Sequence, residues 1–169
     1  GIMVYAKNPK AAASLSTSLQ QGKIEKWYQA VICGKPVDNN GTYVDYLKQD
    51  KKNNCSRIVD KSDPESKRAE LEYKVLDCIQ TEEKDPQYLS LVEIKLLTGR
   101  HHQIRVQFSG HGTPLYGDGK YGNNEKAVRK SLALCACHLK FKHPATGKIM
   151  DFQIKPDTGA FKLFSKNIS

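Results

Sequence analysis

The chain lacks any apolar run approaching the roughly 18 residues that a membrane-spanning helix needs, and no cationic leader precedes an apolar stretch. A membrane partner and an intact signal peptide are therefore not expected. Cysteine offers no framework either: Cys33, Cys55, Cys78, Cys135 and Cys137 are an odd number at irregular spacing, which reads as unpaired thiols in a reducing compartment such as the cytoplasm. Acidic residues are the scarce charge, with 18 Asp and Glu against 27 Lys and Arg, for a net charge of +9. Such a balance favours a polyanionic partner, because counterion release drives cationic surfaces onto nucleic acid. Neither an internal repeat nor a linker divides the 169 residues, so residues 1–169 read as a single domain large enough to bury a core. No protein partner is evident.

What the sequence does contain is concentrated between Leu96 and Gly122. Two arginines and three histidines fall within Arg100–His111, more cationic and polar than a core element of that length requires. Val92, Ile94 and Leu96 alternate with Glu93 and Lys95, the pattern of an edge or half-exposed strand, which Thr98 and Gly99 close. A short helix follows, with Ile104 and Phe108 four apart on its buried face, stopped by Gly110 and Gly112. Arg105 lies about 100° around the axis from Ile104, at the border of that face. A guanidinium placed there is costly unless it meets an anion, so the partner is a carboxylate or a phosphate, either a structural Asp or Glu or a functional group.

Thr98-Gly99-Arg100-His101-His102-Gln103-Ile104-Arg105, followed by Gly112-Thr113-Pro114-Leu115-Tyr116-Gly117-Asp118-Gly119-Lys120-Tyr121-Gly122, resembles the third motif of the RluA-type RNA pseudouridine synthases, close to T-G-R-x-H-Q-I-R and then G-x-P-I-x-G-D-x-x-Y-G. Lys26-Trp27-Tyr28-Gln29-Ala30-Val31 is similar to the family's K-x-Y-x-A motif, and Leu139 to Gly147 resembles its closing hairpin. The resemblance extends from Gly1 to about Ile154. It implies an α+β fold with a large, mostly antiparallel mixed sheet and a few flanking helices. It also implies isomerisation of uridine to pseudouridine in ribosomal or transfer RNA, a reaction without a redox step or cofactor. The family's catalytic aspartate sits in a motif close to H-R-L-D-x-x-x-S-G, and the chain begins at what resembles that motif's last glycine. The expectation is therefore the C-terminal portion of a catalytic domain, with the aspartate a few residues before Gly1 and the fragment inactive alone. The alternative is a catalytically silent RNA-binding domain; a basic interaction domain without RNA function is a third reading.

By the same resemblance, Arg105 pairs with that aspartate and holds it ionised. Tyr28, which spacing alone makes an ordinary core residue, packs against the flipped uracil and serves or positions the base that removes the carbon 5 proton. Lys26, Arg100, His101, His102, Gln103, Lys120 and Tyr121 contact RNA. Asp118 reads as a turn residue whose side chain accepts from nearby backbone amides.

The remaining segments read as scaffold. Ile2–Lys7 is expected as a strand, then a helix opened by Asn8-Pro9 with Ala12, Leu15 and Leu19 as its apolar stripe, ending at Gly22. Lys26–Cys33 reads as a strand. Lys35–Lys67 is cationic and turn-rich, an insertion of short strands and loops in which Tyr43–Leu47 pairs with Cys55–Val59, solvated or touching RNA backbone. Ala69, Leu71, Tyr73 and Val75 alternate in a strand that pairs, after a polar turn at 81–87, with Tyr88–Leu97. Asn123–Lys130 reads as a polar connector. Cys135, Cys137, Leu139 and Phe141 share the buried face of a strand, which argues against a metal held by Cys135, Cys137 and His138. Met150, Phe152 and Ile154 form the inner face of the last hairpin strand. A helical turn over Phe161 and Phe164 and a frayed end close the chain.

Overall fold

A computed structural model describes residues 1–82, 87–122 and 131–164. Seven strands among these residues form one sheet in the order β3-β2-β4-β5-β1-β6-β7, and every strand pairing in it is antiparallel. They are β1 (Glu25–Cys33), β2 (Asn40–Asp50), β3 (Cys55–Val59), β4 (Lys67–Gln80), β5 (Tyr88–Leu96), β6 (Leu134–Lys142) and β7 (Ile149–Gln153). Helix α1 spans Pro9–Gln20, α2 spans Gln103–Gly110, and a 3-10 helix covers Gly159–Phe164. The expected α+β architecture is the one observed.

The middle of the sheet explains its hydrophobic runs. β1 lies between β5 and β6, and Ala30, Val31 and Ile32 are all buried because both faces are covered. On one face Ala30, Ile32, Leu71, Val92 and Ile94 pack against Ile104 and Phe108 of α2, with Tyr28 at the margin. On the other, Val31, Leu89 and Leu91 take Phe161 and Phe164 of the 3-10 helix. Each fully buried side chain of this size contributes roughly 1.5–3 kcal/mol, so these anchors fix α2 over the sheet.

Several elements depart from their patterns. β5 is not an edge strand: it sits between β4 and β1, and Glu93 and Lys95 reach half-exposed positions on the face opposite α2. Ile2–Lys7 forms no strand; only the Ile2 N–H reaches the Ala136 carbonyl, at 2.8 Å. Asn8 caps α1 through the Ala11 N–H, as expected, but the helix leans on the sheet with Ala11, Ser14, Leu15 and Ser18, while Ala12 and Leu19 are exposed.

The alternation in β6 is broken by a bulge opposite Trp27 and Tyr28. Cys137 is the inserted residue, so Cys135 packs with the Phe161 cluster while Leu139 and Phe141 pack with Ile24. The four side chains thus do not share one face. β7 is an outer edge, and Phe152 and Ile154 stay 45% and 46% exposed, although the Phe152 ring lies 6.4 Å from that of Phe141 on the side where Met150 packs.

The insertion at 35–67 is more regular than its composition suggests. β2 runs eleven residues, and Tyr46 to Asp50 pair with Val59 to Cys55 in a hairpin at the sheet's other edge. β3 packs beside the end of α2, where a side chain at Gly110 would collide with Ile58. The turn between β4 and β5 is closed by the Thr81 N–H to Gln87 at 2.8 Å; residues 83–86, the connector 123–130 and the tail from 165 lie outside the described residues.

Candidate functional site

The end of β5 is bent over β4 and tied there. The Leu97 and Thr98 N–H groups both donate to the Glu70 carbonyl, and the Thr98 hydroxyl accepts the Glu70 N–H at 2.7 Å. Gln103, at the start of α2, completes the knot: its carbonyl accepts from the Thr98 hydroxyl and the Arg100 N–H, and its amide donates to the Glu70 carbonyl at 3.1 Å. The side chain is only 3% exposed with both polar atoms in use. Gln103 is therefore built into the scaffold, with one amide N–H left over and the side chain buried away from the surface on which an RNA contact was expected.

The β2–β3 hairpin docks against this turn. His101 meets Ser56 Oγ through Nδ1 at 2.9 Å and Asn54 Oδ1 through Nε2 at 3.0 Å. Lys120 donates its ammonium to the Asn54 carbonyl at 2.7 Å and the Asn53 carbonyl at 3.3 Å. Tyr121 receives the Ser56 N–H on its hydroxyl at 2.8 Å, and the same oxygen lies 2.9 Å from His102 Nδ1. His102 adopts the left-handed conformation at φ +53°, and its ring leans on that of His101 at a tilt of 33°, with ring centres 3.8 Å apart. Burial and then the charge of Arg105 hold the His102 imidazole below its ordinary value. Arg100 is exposed and anchored by its Nε to the Arg68 carbonyl at 2.8 Å.

Below this layer lies the partner of Arg105. Its Nε donates to Asp118 Oδ2 at 2.8 Å and its Nη2 to Oδ1 at 2.7 Å, while the Lys120 and Tyr121 N–H groups also reach Oδ1, each at 3.0 Å. Asp118 is 1% exposed. Burial pushes its carboxyl up, but the Arg105 hydrogen bonds and the two amides outweigh it and hold the group below its ordinary value. The Arg105 guanidinium also lies 4.9 Å from the centre of the Tyr121 ring. The turn role expected of Asp118 is present, and the pairing with Arg105 is added to it.

Tyr28 and Lys26 occupy a neighbouring place. They line a cavity of about 400 Å³ with Tyr5, Leu15, Ile24 and His138, and Arg105 is not part of its wall. Burial, and next the nearby Cys137, raise the Tyr28 phenol above its ordinary value, and burial lowers the Lys26 ammonium. The Lys26 Nζ comes within 3.4 Å of where a Cβ on Gly99 would stand, which joins this cavity to the turn. A second cleft, of about 480 Å³, opens between the hairpin and the turn, lined by Lys51, Lys67, Arg100 and His101 among others.

The structure thus gathers His101, His102, Arg105, Lys120 and Tyr121 into one network, sets Arg100 next to His101 in the adjoining cleft, and keeps Tyr28 and Lys26 beside them. Sequence reasoning missed Ser56 and Asn54, which carry no local signal. The Asp118 pairing had a signal in the need of Arg105 for an anion.

The pattern that describes the RNA pseudouridylate synthases matches residues 1–110. The chain belongs to that family. It is 35% identical to an uncharacterized RNA pseudouridine synthase of Aquifex aeolicus, over 94% of this chain and 50% of that protein. To the ribosomal large subunit pseudouridine synthase D of Zymomonas mobilis it is 34% identical, over 90% of this chain and 48% of that protein. The chain spans about half the length of the curated relatives it matches. The structure of human RNA pseudouridylate synthase domain containing 1 superposes with a TM-score of 0.74 at 23% identity, covering 90% of this chain and 62% of that one, a likeness of fold. The pseudouridylate synthase fold therefore underlies the network around Arg105.

Proposed function

We propose that this chain is the RNA-holding body of a pseudouridine synthase that isomerises uridine to pseudouridine in ribosomal or transfer RNA in the cytoplasm. The observation that carries the reading is the network built on Arg105 and Asp118, which presents Arg100, His101 and His102 at one rim beside the cavity of Tyr28 and Lys26.

The chemistry breaks the bond from ribose to ring nitrogen, turns the uracil over and joins ribose to carbon 5. It needs a carboxylate near the ribose, a base for the carbon 5 proton and a pocket closed to water. Tyr28, kept protonated by burial, packs on the flipped uracil and positions the base that takes the carbon 5 proton. Arg100 neutralises phosphate, since its guanidinium is exposed while its Nε is anchored.

Asp118 is a poor nucleophile, because four hydrogen bonds take up its oxygens. The reacting carboxylate of this proposal is the one the family resemblance assigns to the H-R-L-D-x-x-x-S-G motif, which Gly1–Ser169 does not contain, and on this reading the chain alone binds RNA without turnover. That saturation of Asp118 also supports the second reading, an RNA-binding domain without catalysis. Tritium release from uridine labelled at carbon 5 separates them: a protein carrying this chain and the reacting carboxylate releases tritium under the first reading and releases none under the second.

A further inference from the structure

Tyr121 stands where three elements meet, and the proton of its hydroxyl has one destination. The oxygen accepts the backbone N–H of Ser56 on β3, a group that can only donate. Among the described residues the one acceptor then within reach of the hydroxyl proton is His102 Nδ1, at 2.9 Å. A ring nitrogen that accepts is unprotonated, so the neutral imidazole carries its proton on Nε2. Among the described residues Nε2 has no hydrogen-bond partner.

The groups facing this ring favour the neutral form. Arg105 on α2, His101 leaning on it and Lys120 from the following loop are cationic or can become so, and the opposing carboxylate, Asp118, is already engaged by Arg105. Nor can the ring turn freely. Its backbone is fixed at the start of α2, its ring rests at a tilt against His101, and His101 is pinned at both nitrogens by Ser56 and Asn54.

We propose that Tyr121 is a positioning residue whose hydroxyl locks His102 in the Nε2–H tautomer, so that His102 offers an RNA phosphate oxygen a neutral hydrogen-bond donor. Tyr121 itself stays behind the contact surface. This rests on the RNA reading above, but the tautomer stands or falls without RNA.

The test is two-bond proton–nitrogen correlation on the full chain with nitrogen-15 in its histidine rings. At neutral pH, His102 should show a single tautomer protonated at Nε2. Tyr121→Phe keeps the ring beneath Arg105 but removes the donor, and should give a mixture of tautomers and a higher His102 titration midpoint. Ser56→Ala removes a His101 contact yet keeps the backbone N–H, and should leave His102 as it was. Adding a uridine-containing RNA hairpin should shift the His102 Nε2 signal. A proton on Nδ1 in the wild type, or an unchanged tautomer in Tyr121→Phe, overturns the lock; if that variant does not fold, the wild-type spectrum alone decides. RNA that binds without moving the Nε2 signal overturns the donor role. RNA that does not bind at all overturns the RNA reading and the donor role together, and leaves the lock standing.

Discussion

Arg105 and Asp118, thirteen residues apart, face each other through two parallel hydrogen bonds of 2.8 and 2.7 Å, with the carboxylate buried beneath the guanidinium. The fork geometry suits arginine and not lysine. Because the same carboxylate caps the amides of Lys120 and Tyr121, this pair ties α2 to the loop that carries the rest of the site.

Removing one partner strands the other. Asp118→Ala is expected to cost about 3–5 kcal/mol, as for other buried pairs broken on one side. Arg105→Lys, which retains the charge and loses the fork, should cost less. Urea unfolding of the two variants beside the wild type measures both.

The pair also sets an acid limit. Asp118 titrates below its ordinary value of 3.8 in the folded chain, so it binds a proton less readily there than in the unfolded chain. Its contribution is full above that ordinary value and is lost as pH falls through the lowered one. Arg105, raised above its ordinary value by its bonds to Asp118, adds no change in this range. The stability difference between wild type and Asp118→Asn should therefore be constant at neutral pH and shrink below about pH 4, read from unfolding midpoints at a series of pH values.

Much of the fold was legible because its signals are local. The cap of Asn8 on α1, the alternation of Ala69, Leu71 and Tyr73, and the pair Ile104 and Phe108 each need only neighbours in sequence. The failures are of another kind. The bulge at Cys137 inserts a residue without any mark in side-chain chemistry, and the exposure of Phe152 follows from β7 having no strand beyond it. In the site, Arg105 announced its need for an anion, but the docking of Ser56 and Asn54 on His101 spans more than forty residues and rests on tertiary packing alone.

Gln103 separates scaffold from contact. Gln103→Ala would strand the Thr98 hydroxyl and the Arg100 N–H and is expected to destabilise by about 1–3 kcal/mol. The RNA affinity of the folded variant at fixed salt should match that of the wild type; a weaker affinity would restore Gln103 as an RNA contact.

Arg100 and Lys120 should behave differently although both are cations. Arg100→Ala is expected to lower the slope of log affinity against log salt by about 1, the signature of one lost phosphate contact. Lys120→Ala should change that slope less, because its ammonium is committed to the Asn53 and Asn54 carbonyls. Filter binding of an RNA hairpin across a salt series reads both.

The most direct measurement is tritium release from ribosomal and transfer RNA labelled at carbon 5 of uridine. It compares a protein that carries this chain together with the reacting carboxylate, its Arg105→Ala variant at a temperature where that variant stays folded, and the chain alone. The account predicts release by the first, none by the variant despite only modestly weaker RNA binding, and none by the chain alone. Release at a normal rate by Arg105→Ala, or by the isolated chain, would contradict it.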